Sequence, residues 1–474
     1  MRASDFRWVA VALALTSGLA RSQTGNATGH MLANSLASVL QQAPANGGSI
    51  TVSNQEIDGV LRFGAETGTL EVPANVRLEG CHFTERVQLS DCHFHGSLTL
   101  AGCKFDKGLD LSDSTVDGDL VLRDPSIAFP PEKPRAMVLS GVRVGGQLII
   151  SRPQVDGAID AASVSAERLS VSLAAAKVHN LNFMGLVANG AYFVSPAQST
   201  LEVPSLNLSD SSLKNTLMLR NLRVQRLRMR SANVGDLVDF DAVHIDEELD
   251  LSGTVLHVFR WAVATAPASR RVWPAAMKFD GMTFEDSDVK LPAGAHQPDD
   301  AEKIQGVDDT LLCLQVAQYS QSAFQSLQDE LTRRGQVPQA DDVFFAMHHA
   351  NRAAQWTKSA KNWPWCAFDS FQEYVLGYGR SALTPCLWSC LFVLLGSFAF
   401  HKRTNMIEVQ DGGKPPEFST AWYSLELFLP VVDLGMAKAW RPSTRLLQTY
   451  ARVHQIAGWV LVPVALAAIT GVVR

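Results

Sequence analysis

Residues 87–122 read VQLSDCHFHGSLTLAGCKFDKGLDLSDSTVDGDLVL and state nearly the same phrase three times. A shift of 11 residues aligns two apolar columns, Val87, Leu98, Leu109 and Leu120 in one, and Leu89, Leu100, Leu111 and Leu122 in the other. Within a phrase, an apolar, polar, apolar triplet such as Leu98-Thr99-Leu100 has the alternation of a β-strand, and the Gly, Asp and Ser between triplets favour turns. Each phrase therefore predicts one short strand and a turn.

The repeat continues far beyond this stretch. It begins near Leu78, drifts over residues 161–193, and returns as a column with spacings of 11, 10, 11 and 11 at Leu206, Leu217, Leu227, Val238 and Leu249. Because so short a unit cannot hold a helix, successive strands must stack in parallel, with roughly 20 to 22 residues per coil. We predict a mainly β fold: a parallel β-helix (β-solenoid, 10–11-residue repeat) over residues 78–290, with leucine and phenylalanine inside and an irregular coil where the period drifts.

The two ends of the chain do not share the repeat. Two arginines precede a short apolar run in residues 1–22, and small residues lie close to Ser22, which is the order of a secretory signal peptide. Residues 23–77 are predicted to form an N-terminal cap that leads into the solenoid. Residues 291–380 are predicted to hold a helical hairpin over Phe324–Gln355, with a turn at Gly335, and an interfacial linker rich in tryptophan.

Residues 381–474 are predicted to form a membrane module. Residues 381–400 and 456–473 are free of charge and long enough to cross a bilayer, whereas residues 420–435 are short and predicted to be re-entrant or interfacial. The segment between the two spans is rich in Lys and Arg, which places it in the cytoplasm by the positive-inside bias. A cleaved signal peptide would place the solenoid on the opposite side, so the two signals agree.

Several segments together resemble one family. The phrases of the form LxLSGxxVxGxLxL, the hairpin FQSLQDELTRRGQVPQADDVFFAMHHANRAAQ, the Gly377-Tyr378-Gly379 stretch and the closing apolar segments are similar to bacterial membrane-anchored pentapeptide-repeat-like β-helix proteins. The resemblance covers most of the chain from Leu78 onward. It implies a C-terminal two-span membrane module and a place in the bacterial inner membrane, with the solenoid facing the periplasm. Some members are labelled membrane-associated oxidoreductases, but this sequence has neither a GxGxxG after a strand nor a CxxC pair.

Composition argues against several kinds of partner and site. The formal net charge of -6 gives no sign of the basic surface that nucleic-acid binding needs. Each early cysteine is followed by a histidine or lysine that strand alternation would turn to the opposite face, so Cys92 and His93 could not ligate one metal together. A metal site would need His93 and His95 to share a face with a third ligand one coil away. The sequence predicts no metal, cofactor or catalytic residue.

One basic cluster is a candidate ligand-facing patch. Arg226, Arg228 and Arg230 alternate with Leu227 and Met229 and so share an outward face, where a glycan or lipid headgroup could dock. Acidic residues follow at about one coil's distance, so ion pairing along the solenoid is the alternative.

Three functions are compatible with this pattern. We expect a membrane-anchored scaffold or binding protein, not an enzyme, whose partners are the lipid bilayer and a protein or glycan on the solenoid face. The first alternative is a two-span pore or transport module, for which Glu426 and Asp433 would be polar residues at membrane depth. The second alternative is a polysaccharide-acting β-helix enzyme that uses the mixed Arg and Asp region.

Overall fold

The structure is a computed structural model that describes residues 29–42, 48–64, 69–128, 135–174, 176, 178–196, 202–264, 272–292, 308–358, 360–409, 417–429 and 431–470. The predicted signal peptide, residues 1–22, lies outside the described residues. The fold is mainly β, a parallel β-solenoid of about 10 turns followed along the chain by helices, so the predicted fold class is confirmed. The chain divides into two compact units: a solenoid unit of residues 1–250 and 260–275, and a C-terminal unit of residues 251–259 and 276–474.

The described strands of the solenoid are short in its first half. They are β1 Gly29–Leu32, β2 Ser49–Ser53, β3 Gln55–Asp58, β4 Leu61–Phe63, β5 Glu71–Val72, β6 Asn75–Glu79, β7 His82–Phe83, β8 Val87–Leu89, β9 His93–Phe94, β10 Leu98–Ala101, β11 Lys104–Phe105, β12 Leu109–Asp110, β13 Thr115–Val116, β14 Leu120–Arg123, β15 Ser126–Ile127, β16 Arg135–Val138, β17 Arg143–Val144, β18 Gln147–Ser151, β19 Gln154–Val155 and β20 Ala158–Asp160.

The strands of the second half include several longer ones, up to 18 residues in β28. They are β21 Ser165–Ser172, β22 Asn180–Asn182, β23 Val187–Val194, β24 Glu202–Asn207, β25 Ser212–Leu213, β26 Leu217–Arg220, β27 Arg223–Arg228, β28 Asn233–Asp250, β29 Val255–Val263, β30 Ala276–Lys278 and β31 Thr283–Lys290. The lengthening starts at β21, inside the stretch where the sequence period drifts.

The register shows that two 11-residue phrases make one coil. Leu98 pairs with Val76 on one side and with Leu120 on the other, and each partner lies 22 residues away. Between β6 and β10 the chain passes through β7, β8 and β9, so this coil contributes four short strands. The pairing is parallel throughout β6, β10 and β14, as the short repeat predicted. Parallel pairing also extends upstream of Leu78, to β1 with β3 and β2 with β6.

The interior consists of the predicted leucine and phenylalanine ladders. Leu98, Leu100, Leu120 and Leu122 are all at least 98 % buried. The phenylalanine column divides between two sheets, because consecutive phrases occupy opposite halves of a coil. Phe83 stacks on Phe105 with ring centroids 5.0 Å apart, and Phe94 pairs with Val116.

The residue just before each cysteine of the repeat, and before Ser114, is always Gly or Asp, because the chain turns there. Gly80, Asp91, Gly102 and Asp113 have φ values of 59°, 52°, 63° and 56°, which lie in the left-handed region. Glycine adopts this conformation freely, and Asp and Asn tolerate it better than other residues. The alternation of Gly and Asp in LEGC, LSDC, LAGC and LSDS is therefore a backbone requirement at a corner of the coil.

A short helix lies at the start of the solenoid unit. Helix α1, Ala33–Gln41, follows β1 and buries Ala33, Leu36 and Leu40. Leu40 lines the same apolar interior as Leu61 and Val76 of the first coils. The segment predicted to be a cap therefore contains both a helix and the first coil strands.

The C-terminal unit contains all the other described helices. They are α2 Asp308–Val316, α3 Gln321–Arg333, α4 Val337–Lys358, α5 Trp363–Leu376, α6 Leu383–Ala399, α7 Thr420–Phe428, α8 Met436–Ala439 and α9 Arg445–Thr470. Single 3-10 turns lie at Ala360–Asn362, Gly377–Gly379 and Arg403–Asn405, and a small antiparallel pair is formed by β32 Met406–Glu408 and β33 Trp440–Pro442. Helices α3 and α4 occupy the predicted hairpin, and Gly335 between them has φ 73°.

The interior ladder predicts that alanine substitutions at two neighbouring positions lower the free energy of unfolding by very different amounts. Leu122→Ala should lower the free energy of unfolding by about 2–5 kcal/mol, because it leaves a cavity between tightly stacked coils. Val121→Ala, on the opposite face of the same strand and half-buried, should have a much smaller effect. Urea unfolding of the full-length protein in detergent, followed by circular dichroism, would measure both. Equal effects would contradict the inward orientation of the leucine column.

Candidate functional sites

The cysteine column points inward and the histidine column outward. Cys81, Cys92 and Cys103 are at least 98 % buried, whereas His82 and His93 are half-buried. The thiol of Cys103 donates to the carbonyl of Leu78 at 3.3 Å. Ser114, the next member of the column, donates to Leu89 at 2.6 Å in the same way. The cysteines therefore serve as small interior residues, and burial raises the pKa of the Cys92 thiol to about 11.

The arginines of the candidate patch each lie beside an acidic residue of the next coil. Arg228 contacts Glu248 at 2.7 Å, and Arg226 contacts Glu247 at 3.2 Å. Arg230 contacts Asp250 at 2.6 Å, and the Asp250 side chain is fully buried. The geometry follows the alternative of ion pairing along the solenoid, since β27 and β28 lie side by side in parallel register. The buried Asp250 carboxylate has no open route to a polysaccharide chain.

The acidic partners of Arg230 and Arg226 differ in burial, so the two arginines should contribute differently to thermal stability. Arg230→Ala removes the guanidinium that lies 2.6 Å from the buried Asp250 carboxylate, so it should lower the thermal unfolding midpoint. Arg226→Ala, whose partner is exposed, should leave the midpoint nearly unchanged. Differential scanning fluorimetry on the two variants provides a matched comparison, and the same midpoint for both would show that the Asp250 contact is energetically unimportant.

Two histidines and two carboxylates form a separate cluster on the outer face of the solenoid. His93 and His95 share one face of the chain, and their ring centroids lie 3.9 Å apart. Glu71 lies one coil before them and Asp117 one coil after. The hydrogen bond to Glu71 raises the pKa of His95, and the hydrogen bond from His93 lowers the pKa of Asp117.

Helices α4 and α5 are joined by buried charges. Arg352 on α4 contacts Asp369 on α5 at 2.7 Å and also contacts Glu373. His348 and His349 reach the same two carboxylates, at 2.9 and 2.6 Å respectively. Two carboxylates, one guanidinium and two imidazoles thus form a cluster of mutually paired polar groups that joins α5 to α4.

Three helices meet through small and polar residues. The Ser424 hydroxyl of α7 donates to the Val393 carbonyl of α6 at 2.8 Å, and His454 Nε2 of α9 lies 3.0 Å from the Ser424 carbonyl. A Cβ atom on Gly396 would lie 2.2 Å from Ser424 Oγ, and one on Gly458 would lie 1.8 Å from the Phe428 carbonyl oxygen. Only glycine at these two positions permits such close helix packing.

Ser424 and His454 do not make a nucleophilic site. Both side chains belong to fully buried residues, so no substrate can approach them. Among the described residues, His454 Nδ1 has no hydrogen-bond partner, so the orienting carboxylate of a triad is missing. The pair is a structural contact between helices.

Glu426 and Asp433, the predicted membrane-depth residues, have local backbone partners. Glu426 is 92 % buried and accepts hydrogen bonds from the backbone N–H groups of Met436 and Ala437, at 2.7 and 3.2 Å. It therefore caps the first turn of α8. Asp433 accepts from the Gly435 N–H at 3.2 Å and pairs with Lys438. Pro430, within the same predicted segment, lies outside the described residues.

The helices differ in their suitability as membrane spans. In the described part of the chain, α9 is long and apolar enough to cross a bilayer by itself. Residues 363–379 and helix α6 pass the same criterion only together, and they are bent by 103° at the break between them. Gly377, Tyr378 and Gly379 all have positive φ at this bend.

Sequence reasoning missed three features. The first is the contact of Glu71 and Asp117 with His93. Both acids are far from His93 in sequence, and their only signal is a separation from it of about one 22-residue coil. The second is the cluster around Arg352. Asp369 and Glu373 are spaced i, i+4 in a helix that is otherwise apolar and aromatic on its exposed side, and this spacing could have indicated a pair of acids on one face. The close helix packing was indicated only by Gly396 and Gly458, each in an apolar segment.

Comparisons with known proteins match the repeat but not the whole chain. A family model for pentapeptide repeats (9 copies) matches residues 78–124. No curated protein and no solved structure matches this chain. The match covers the stretch with the most regular 11-residue phrases and supports the resemblance in that part.

Proposed function

We propose that this chain is a membrane-anchored β-solenoid that presents its outer face to a partner and carries no catalysis. The anchor is the C-terminal unit, and the presented surface is the solenoid. Pentapeptide-repeat proteins are generally non-catalytic structural proteins, which supports the second half of the proposal. The apolar gap inside the first coils, lined by Leu78, Leu98 and Leu100 among others, also offers no site for a substrate, because it has room for no more than about one water molecule.

The observation that best supports a membrane anchor is the distribution of small and large side chains around α9. Its buried face is made mainly of small residues, among them Ala451, Gly458, Ala465 and Ala468. Its exposed face carries large apolar residues, Ile456, Trp459, Leu466 and Ile469, each more than half exposed. A helix in water has the reverse arrangement, whereas small residues inside and large apolar residues outside suit a helix surrounded by lipid.

Helix α6 repeats this pattern. It carries no charge, and Leu383, Leu387, Leu394 and Phe398 are each more than half exposed. With 17 residues it is about 25 Å long, slightly short of a typical hydrocarbon core. We propose that α6 and α9 span the bilayer and that α7 packs between them.

Helix α5 suits the membrane interface. Its exposed face is aromatic, with Trp363, Phe368 and Tyr374 about 60 % exposed, while Asp369 and Glu373 are buried on the other face. The 103° bend places α5 nearly perpendicular to α6. If α6 crosses the bilayer, α5 lies along its surface, where aromatic side chains are favoured.

Anchoring predicts resistance to extraction. Full-length protein in isolated bacterial membranes should stay in the pellet after an alkaline carbonate wash. A double variant, Leu394→Lys with Trp459→Lys, should be released to a larger extent, because each lysine near the centre of a span costs about 2.5–3.5 kcal/mol. The apolar replacements Leu394→Ile with Trp459→Leu serve as the control and should stay in the pellet. Recovery of the unmodified chain in the wash would contradict the anchor.

The orientation and the partner can be tested with the same two cysteine variants, made in a chain whose two cysteines that are not buried, Cys386 and Cys390, are replaced by serine. Lys107→Cys on the solenoid should react with a membrane-impermeant maleimide in cells whose outer membrane is permeabilised, whereas Ser443→Cys, in the Arg-rich segment before α9, should react only after lysis. The opposite labelling would reverse the proposed topology.

A photo-crosslinker attached at position 107 should give one discrete adduct that is absent when the crosslinker is at position 443. No adduct from any outward solenoid position would contradict the scaffold role.

A further inference from the structure

The cluster of Glu71, His93 and His95 meets a condition that its sequence alone left open. A metal ion on this face requires a third ligand from a neighbouring coil, in addition to the two histidines. The register places Glu71 directly beside His93, because β5 and β9 pair in parallel. His95 lies two residues further along the chain and therefore on the same face of the coil.

The distances among the donor atoms suit a tetrahedral ion. Glu71 Oε2 lies 2.8 Å from His95 Nε2 and 3.8 Å from His93 Nδ1. Metal bonds of about 2.0–2.2 Å at tetrahedral angles separate neighbouring ligand atoms by about 3.4 Å, which lies between these two distances. All three donor atoms lie within 4.8 Å of one another. A small movement of the three side chains would bring all of their donor atoms to one ion.

Asp117 completes the arrangement from the opposite side. It lies 3.0 Å from His93 Nε2 and 3.4 Å from His95 Nδ1, which are the ring nitrogens that face away from Glu71. When both of these nitrogens donate to Asp117, the other nitrogen of each ring presents its lone pair towards Glu71. A carboxylate that holds the far N–H of a metal-ligating histidine is the usual companion of such a site.

We propose that Glu71, His93 and His95 bind one divalent transition-metal ion such as Zn²⁺, and that Asp117 orients the two imidazoles. The donor set of two imidazoles and one carboxylate suits zinc and its neighbours and not calcium or magnesium, which require oxygen ligands. Because Glu71 and His95 are exposed, the fourth position is open to water or to a donor group of a partner. The inference is independent of membrane anchoring.

The test is a zinc titration of the full-length protein in detergent. The protein is purified through a tag without histidines, treated with a chelator and titrated with ZnCl₂ by isothermal titration calorimetry. We expect one saturable site per chain in the unmodified protein and loss of that site in His95→Ala and in Glu71→Gln. Asp117→Asn should keep the stoichiometry and weaken the affinity about 10- to 100-fold, since it removes only the orienting contact.

His82→Ala is the matched control. His82 is also an outward histidine that contacts an acid, Asp106 at 2.8 Å, but its neighbour is the cation Lys104 at 3.3 Å. Its removal should leave zinc binding unchanged. The proposal is overturned if the unmodified protein shows no saturable site, or if His82→Ala lowers zinc binding as much as His95→Ala does.

A spectroscopic measurement guards against misfolded variants. Co²⁺ added to the unmodified protein should produce the intense visible absorption of a four-coordinate ion, and Zn²⁺ should displace it. Absorption typical of hexaaqua Co²⁺ only, with no change on addition of protein, would overturn the proposed coordination.

Discussion

The parallel hydrogen-bonded register between coils, locked by apolar ladders inside, is the constraint on which the rest of the solenoid depends. Each leucine triplet must lie directly over the triplet 22 residues earlier, because a slip of one residue would turn every interior side chain outward. The left-handed residues at Gly80, Asp91 and their equivalents fix the corner at which the chain turns into the next strand. The turn and the interior therefore specify the same register.

This register also decides which surface residues meet. Residues far apart in sequence become neighbours at intervals of about one coil, and the outer face becomes a set of columns. The arginines of β27 thus meet the acids of β28, and most of their charge is neutralised locally. At His93 and His95 the same geometry has a different result. It brings two imidazoles between two carboxylates and directs donor atoms of the side chains towards one point. Identical backbone geometry yields a structural contact in one place and a candidate ligand site in another.

The C-terminal unit follows a different physical logic. Helices α6, α7 and α9 pack through glycine, alanine and a serine–histidine contact, and the large apolar side chains of α6 and α9 face outward. Water would penalise such an arrangement, whereas lipid would not, since helices in a bilayer associate through close packing and hydrogen bonds. Charged side chains are buried where α5 meets α4, and there each carboxylate has a cationic or imidazole partner. The aromatic outer face of α5 would then lie between these two environments.

The sequence by itself determined the solenoid, its two phrases per coil, its leucine and phenylalanine interior and the position of the hairpin, because these depend on local alternation and a fixed period. It also indicated the outward face of Arg226, Arg228 and Arg230, since strand alternation sets facing. Only the tertiary structure decided which side chains meet across coils and helices: Asp250 beneath Arg230, Glu71 and Asp117 around the histidines, and Phe428 against Gly458. The reason is physical. Local periodicity fixes the direction of a side chain, but the partner in that direction depends on the length of every intervening turn.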